Sequence, residues 1–129
     1  MSERVQIMGR VSEELTLMLH GSATARDMTM SNLVESGVES VLSMDAEELD
    51  RVRRVAEPFT GRSQLIARVD PELKKDAKHW AIDQEVTLND VIRFGSVLEV
   101  GKSATAVGVL VDKLRVDFPE MFDGEGSVA

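Results

Sequence analysis

Apolar and polar residues alternate in two short stretches, Val5-Gln6-Ile7-Met8-Gly9-Arg10-Val11 and Gln64-Leu65-Ile66-Ala67-Arg68-Val69. Successive strand side chains point to opposite faces, so each stretch predicts a short, half-buried strand. Behind each, the apolar spacing turns helical. Ser12 can cap a first helix with Glu13 and Glu14 in its opening turn. Leu15, Leu19, Ser22 and Ala23 then make a narrow, weakly apolar face. Asp70-Pro71 opens the counterpart, whose face is Leu73, Ala77, Trp80 and Ala81. Thr29 caps a second helix with the stripe Leu33, Val34, Gly37, Val38, Val41 and Leu42. Thr87 does the same for Val91, Ile92, Gly95 and Leu98, and Gly101 is expected to stop that helix. A third helix is predicted from Asp45, with Glu48 completing a capping-box pattern and Leu49, Val52, Ala56 and Phe59 inward; Pro58 and Gly61 end it. Its counterpart runs from Ser103 to Arg115, followed by a terminal cap at Phe118–Phe122 and a small, acidic tail from Asp123 to Ala129.

The pattern is a repeat. Sliding the chain on itself by 58 positions aligns Arg4 with Arg62, Gln6 with Gln64, Arg10 with Arg68 and Val11 with Val69. It also aligns Glu14-Leu15 with Glu72-Leu73, Ala23 with Ala81, Thr29 with Thr87 and Gly37 with Gly95, without a gap. We therefore expect one unit at 1–61, a second at 62–122 and a tail at 123–129, the two units forming one intertwined domain. A lone strand leaves its backbone groups unpaired. The economical solution pairs the two strands antiparallel about an approximate two-fold axis. The helix from Asp45 to Glu57 gives the chain a route back and favours pairing within one chain; exchange between chains is the alternative. Ile7, Gly9 and Val11, with Leu65, Ala67 and Val69, then rest on the helices. Gln6, Met8 and Arg10, with Gln64, Ile66 and Arg68, point outward, and both outward triplets read Gln-apolar-Arg.

Composition narrows the function. With 129 residues and no cysteine, disulfides and thiolate metal sites are excluded and a reducing compartment is expected. Met1-Ser2-Glu3-Arg4 lacks a signal-peptide core, and no apolar run approaches a membrane span, so the expectation is a soluble cytoplasmic protein with no membrane partner. The net charge of -8 argues against a surface broadly coated for nucleic acid, but recognition depends on where charges sit. Within Arg62 to Lys78 the balance reverses, with Arg62, Arg68, Lys74, Lys75 and Lys78 against Asp70, Glu72 and Asp76. The three lysines read first as a solvated helix face. His20 and His79 hold non-equivalent positions with no metal-ligand spacing. Gly101-Lys102-Ser103 follows a helix and lacks the earlier glycine of a phosphate-binding loop, so it is rejected. No nucleophile–base or carboxylate pair stands out; neither an enzyme nor a cofactor is expected.

Strand, helix, Thr-x-Asn/Ser cap, helix resembles the ribbon-helix-helix (Arc/MetJ-like) DNA-binding family. RVDPELKKDAKHW with VTLNDVI matches closely and RVSEELTLML with MTMSNLV more loosely, together covering roughly residues 4–42 and 62–100. Members are usually two-chain dimers. This chain looks like both protomers fused, as in tandem accessory proteins of the plasmid relaxosome. The resemblance implies a mostly α fold with a two-stranded antiparallel β-ribbon, a tandem pseudo-dimer with a third helix after each unit. It implies that the ribbon enters the DNA major groove, with Gln6, Met8, Arg10, Gln64, Ile66 and Arg68 reading bases. Gln suits adenine, Arg suits guanine, and an apolar side chain suits the thymine methyl. It further implies phosphate contacts from Thr29, Met30, Ser31, Thr87, Leu88 and Asn89 at the second helices' N-termini, and from Arg4 and Arg62. Two departures stand out. Gly21-Ser22 weakens the first helix where the second unit has His79-Trp80, and Met8 and Ile66 are less polar than usual at the ribbon centre.

The expected function is sequence-specific double-stranded DNA binding, as a repressor or as a plasmid, phage or transfer-origin accessory factor in a prokaryotic, nucleoid-associated setting. Further copies are expected to sit side by side on DNA. The competing reading is an antitoxin-like or scaffold protein whose acidic helices or C-terminal region, with Phe118, Met121 and Phe122, bind a protein partner.

Overall fold

The computed structural model describes residues 3–102. In chain order these form β1 (Val5–Val11), α1 (Glu13–Ala25), α2 (Met30–Leu42), α3 (Ala46–Ala56), a single 3-10 turn (Glu57–Phe59), β2 (Ser63–Val69), α4 (Pro71–Asp83) and α5 (Leu88–Gly101). The described chain is thus mostly helical around one two-stranded antiparallel sheet. The predicted third helix of the second half, the terminal cap and the tail lie outside the described residues.

The strands pair within the chain, and their register is symmetric about its middle. Met8 faces Ile66, flanked by Gly9 opposite Leu65 and Ile7 opposite Ala67, and the ladder ends at Val5–Val69 and Val11–Ser63. Met8 and Ile66 are themselves 58 positions apart, so matching residues of the two halves meet at the ribbon centre. Ile7, Gly9 and Val11, and likewise Leu65, Ala67 and Val69, are buried as the alternation requires.

Polar residues start the helices as anticipated. Ser12, Thr29, Asp45, Asp70 and Thr87 each accept a bond from a first-turn N–H of α1, α2, α3, α4 and α5, which satisfies one of the donors a helix start leaves open. One detail differs. Glu48 does not close a reciprocal box with Asp45, which simply accepts from the Glu48 N–H at 2.8 Å. The reciprocal box forms in α5 instead, where the Asp90 side chain accepts from the Thr87 N–H and the Thr87 hydroxyl from the Asp90 N–H, both at 3.0 Å. Gly101 is the last residue of α5 rather than its stop, and Lys102 is the C-cap.

The helix ends repeat as well. After α1, Asp27 takes a left-handed backbone (φ 54°); after α4, Glu85 does so (φ 58°). At both ends the chain turns back with the same pair of bonds, Met28 N–H to Ala23 carbonyl and Val86 N–H to Ala81 carbonyl at 2.9 Å, and Asp27 N–H to Thr24 and Glu85 N–H to Ile82. This is the Schellman closure, which normally recruits glycine at the left-handed position. No glycine announces it here.

The core forms where α2 and α5 cross. Gly37 and Gly95 sit at the crossing with their backbones in contact: a Cβ built on Gly95 would lie 2.5 Å from the Gly37 carbonyl carbon, and one built on Gly37 would strike the Gly95 carbonyl. Only glycine permits so close an approach. Around it Leu33, Val34, Val38 and Val41 of α2 meet Val91, Ile92, Phe94, Val97 and Val100 of α5. Each of these helices also packs on the strand of the other half, α2 on β2 and α5 on β1. α3 lies against α5, inserting Leu49, Val52 and Ala56, with Phe59 buried just beyond. The exchange of partners makes the two halves interdependent.

Candidate functional site

The ribbon's outer face carries Gln6, Met8 and Arg10 on β1 and Gln64, Ile66 and Arg68 on β2, all six exposed. The register arranges them in three cross-strand rows, Gln6 with Arg68, Met8 with Ile66, and Arg10 with Gln64. A hydrogen-bonding pair therefore lies on each side of an apolar centre.

The two strands present their side chains differently. Among the described residues, the Gln6 and Arg10 side chains make no hydrogen bond or ion pair. On β2, the Gln64 amide donates to the Met8 sulfur at 3.1 Å and an Arg68 guanidinium N–H donates to the Arg4 carbonyl at 3.0 Å. Bonds of this kind on an exposed face are cheap to exchange for a ligand's. They leave β1 the more available strand.

The free edges of the ribbon are occupied by the N-termini of α2 and α5. Ser31 in α2 accepts the Arg68 N–H through its hydroxyl at 3.0 Å. Its counterpart Asn89 in α5 accepts the Arg10 N–H at 2.5 Å and donates to the Arg10 carbonyl at 3.1 Å. The Ser/Asn position two residues after the cap threonine thus docks the helix onto the opposite half's strand, beside the backbone of an outward arginine. This role was not read from the sequence.

Thr29 and Thr87 are exposed and act as caps, Thr29 accepting the Asn32 N–H at 3.0 Å. Helix geometry leaves the first-turn N–H groups, those of Met30 and Ser31 and of Leu88 and Asn89, without intrahelical acceptors. They adjoin the ribbon edge, and the helix dipole makes such an end favourable for an anion. The two ends are unequal, however. At the third position α2 has Asn32 and α5 has Asp90, a carboxylate that the Arg93 guanidinium pairs at 3.2 Å.

Of the two predicted flanking arginines, Arg62 is exposed, whereas Arg4 is engaged: its guanidinium pairs with Glu35 at 2.9 Å and donates to the Arg68 carbonyl at 3.2 Å. Glu35 also accepts the Asp70 N–H at 2.8 Å, tying the end of β2 to α2. Lys74 is drawn to the ribbon by a 2.9 Å bond from its ammonium to the Gln6 carbonyl, while Lys75 and Lys78 face solvent. His20 and His79 are exposed, and the described residues hold no cluster of three or more His, Asp or Glu suited to a metal ion. No described helix is long and apolar enough to cross a membrane.

Comparison of the chain with family models, with curated proteins and with solved structures returns no match. A functional reading therefore rests on the residues and their geometry.

Proposed function

We propose that the protein is a sequence-specific double-stranded DNA-binding protein, built as a tandem ribbon-helix-helix pseudo-dimer, that inserts the β1–β2 ribbon into the major groove. The observation that carries this reading is the outer ribbon face, where two Gln-apolar-Arg triplets from matching sequence positions stand in one symmetric register. Gln and Arg at the two ends suit the donor and acceptor pattern of adenine and guanine edges. A two-stranded ribbon fits the width of the groove. The N-termini of α2 and α5, held against the ribbon edges by Ser31 and Asn89, lie where the flanking phosphates of such a groove would pass, with Met30, Ser31, Leu88 and Asn89 N–H groups as donors. Arg62 is a further phosphate ligand. Arg4 holds Glu35 and contributes chiefly by fixing the ribbon end.

In this reading the protein acts as a repressor or as an accessory factor at a plasmid, phage or transfer-origin site in a prokaryotic cell, and its fused halves need not read a perfect palindrome. Selection of bound duplexes from a random pool tests it: a recurrent motif with two half-sites is expected, and retention of no duplex would refute it. With about 4–6 phosphates neutralised, log affinity should fall with log salt at a slope of about -4 to -5. The competing protein-partner reading draws on the acidic balance and on residues 116–129, which lie outside the described residues.

A further inference from the structure

Along α4 the charges are sorted onto two flanks. At about 100° per residue, Lys74 and Lys78 fall on one side of the buried Ala77 and Ala81; Glu72 and Asp76 fall on the other. The basic flank is the one that meets the ribbon, because the Lys74 ammonium donates to the Gln6 carbonyl at 2.9 Å. Arg10, four residues along β1, turns its N–H and carbonyl away from β2 to Asn89. In an antiparallel pair Gln6 shares that orientation. Lys74 therefore stands on the outer edge of β1, beside the row formed by Gln6 and Arg68. An ammonium has three donors, and the strand carbonyl takes one. Among the described residues no carboxylate pairs with Lys74, Lys75 or Lys78, although Asp70 and Glu72 lie within a helical turn of Lys74.

The other edge of the ribbon is built differently. The counterparts of Lys74, Lys75 and Lys78, 58 positions earlier, are Thr16, Leu17 and His20. Thr16 lies by the start of β2, its hydroxyl 3.2 Å from that of Ser63, and brings no charge. Resting on the DNA-binding reading above, we infer that Lys74 is a phosphate ligand, that Lys75 and Lys78 strengthen the field behind it, and that this grip exists on the β1 edge alone. A ribbon lying in the groove sets each of its edges beside one sugar-phosphate backbone. The half-site under Gln6 and Arg68 is then held by an ionic contact that the half-site under Arg10 and Gln64 lacks. Phosphate contacts position a protein without reading sequence, so the grip adds affinity for any duplex and anchors one half of the complex more firmly.

The test uses the full chain and a selected duplex carrying methylphosphonate linkages, each of which removes the charge of one phosphate. Equivalent linkages of the two half-sites are neutralised together, so that the protein cannot turn round on the DNA to avoid the change. One such pair should weaken wild-type binding about tenfold. The same pair should leave Lys74→Gln, already weaker by a similar factor, unaffected. The salt slope of Lys74→Gln should be shallower by about 1, and Lys74→Arg should restore most of it. A wild-type slope in Lys74→Gln would overturn the inference. So would a Lys74→Gln variant weakened by every pair that weakens the wild type, since the grip would then lie on other residues or on both edges. Should the glutamine variant fail to fold, lysine acetylation of the wild type decides: Lys74 should lose reactivity when the duplex is added, and unchanged reactivity overturns the inference. Retention of no duplex from a random pool overturns the DNA-binding reading itself, whereas a bound duplex with none of these effects overturns this inference alone.

Discussion

The two halves of the chain share a backbone design and differ in what they hang on it. Strand register, helix caps, left-handed helix ends and the glycine at the crossing recur 58 positions apart. The side chains around these points diverge. Where α2 has Val38 and Val41, α5 has the buried Ser96 and Glu99; where α2 has Glu35, α5 has Arg93, which is 8% exposed and stacks on Phe94 at 5.3 Å. Where Ser31 makes one bond to the ribbon edge, Asn89 makes two. The repeated features are those that fix the backbone: strand pairing, hydrogen bonds at the helix ends and the close approach of α2 to α5. Charge and polarity have been free to specialise, and with them the surface each half offers to a ligand.

The glycine crossing should be the least forgiving of the shared features. Gly37→Ala or Gly95→Ala forces α2 and α5 apart, because the new Cβ meets backbone that cannot rotate away. We expect a loss of at least about 3 kcal/mol in denaturant unfolding from either substitution. A milder loss from only one of them would show that the crossing is asymmetric.

Next comes the polar cluster centred on Glu99 of α5, which reaches back to Arg26 of the first half and stands where α2 has only Val41. Glu99 is fully buried and holds Arg26 at 3.0 Å and Lys102 at 2.6 Å, both of which reach solvent. Removing both cations in Arg26→Ala/Lys102→Ala strands the carboxylate and should cost about 3–5 kcal/mol, whereas Glu99→Met, closer to the Val41 arrangement of the first half, should be nearly neutral. Thermal unfolding of the two variants side by side separates a specialised half from a merely tolerant one.

The edge docking should give a graded difference. Asn89→Ala removes two bonds and Ser31→Ala one, so losses of about 2 and about 1 kcal/mol are expected, with hydrogen exchange at the Arg10 amide quickening more than at Arg68. Smallest are the helix ends. Glu85→Gly relieves a left-handed backbone and should stabilise by about 1 kcal/mol. Asp27→Gly should gain less, since aspartate tolerates that conformation better.

Both strands, the cap residues and the buried faces of α1, α2 and α3 were largely legible in the sequence, because alternation and helical spacing are local signals and Ser12, Thr29, Asp45, Asp70 and Thr87 occupy positions where only a capping oxygen helps. The later faces were read less well: Leu73 and Trp80 of α4 and Leu98 of α5 are only half-buried, while Phe94, Val97 and Val100 are buried because α5 is enclosed by α2, α1, α3 and β1. The pairing of β1 with β2 followed from the repeat and from a lone strand's unmet backbone groups. Other features depend on contacts between distant positions and left no local mark. Ser31 and Asn89 looked like helix-start residues, and their bonds to the opposite strand emerge only once α2 and α5 have exchanged partners. Arg26 and Glu99 are 73 positions apart, and nothing in the spacing announced them. The Schellman ends were hidden because Asp27 and Glu85 stand where glycine would have signalled them. Arg4 looked available until Glu35 was placed beside it. On the ribbon face the six outward residues were legible from alternation; that the Gln64 and Arg68 side chains are engaged and those of Gln6 and Arg10 are not was not.

The central claim is that the outward ribbon face reads DNA, and the most direct measurement is the affinity of a selected duplex for the wild type and for Arg10→Ala/Arg68→Ala, followed by fluorescence anisotropy at fixed salt. Each arginine should contribute about 1–3 kcal/mol of base readout, so the double variant should lose at least about thirtyfold in affinity for that duplex while keeping the wild-type unfolding midpoint. Equal binding by the folded double variant would contradict the account.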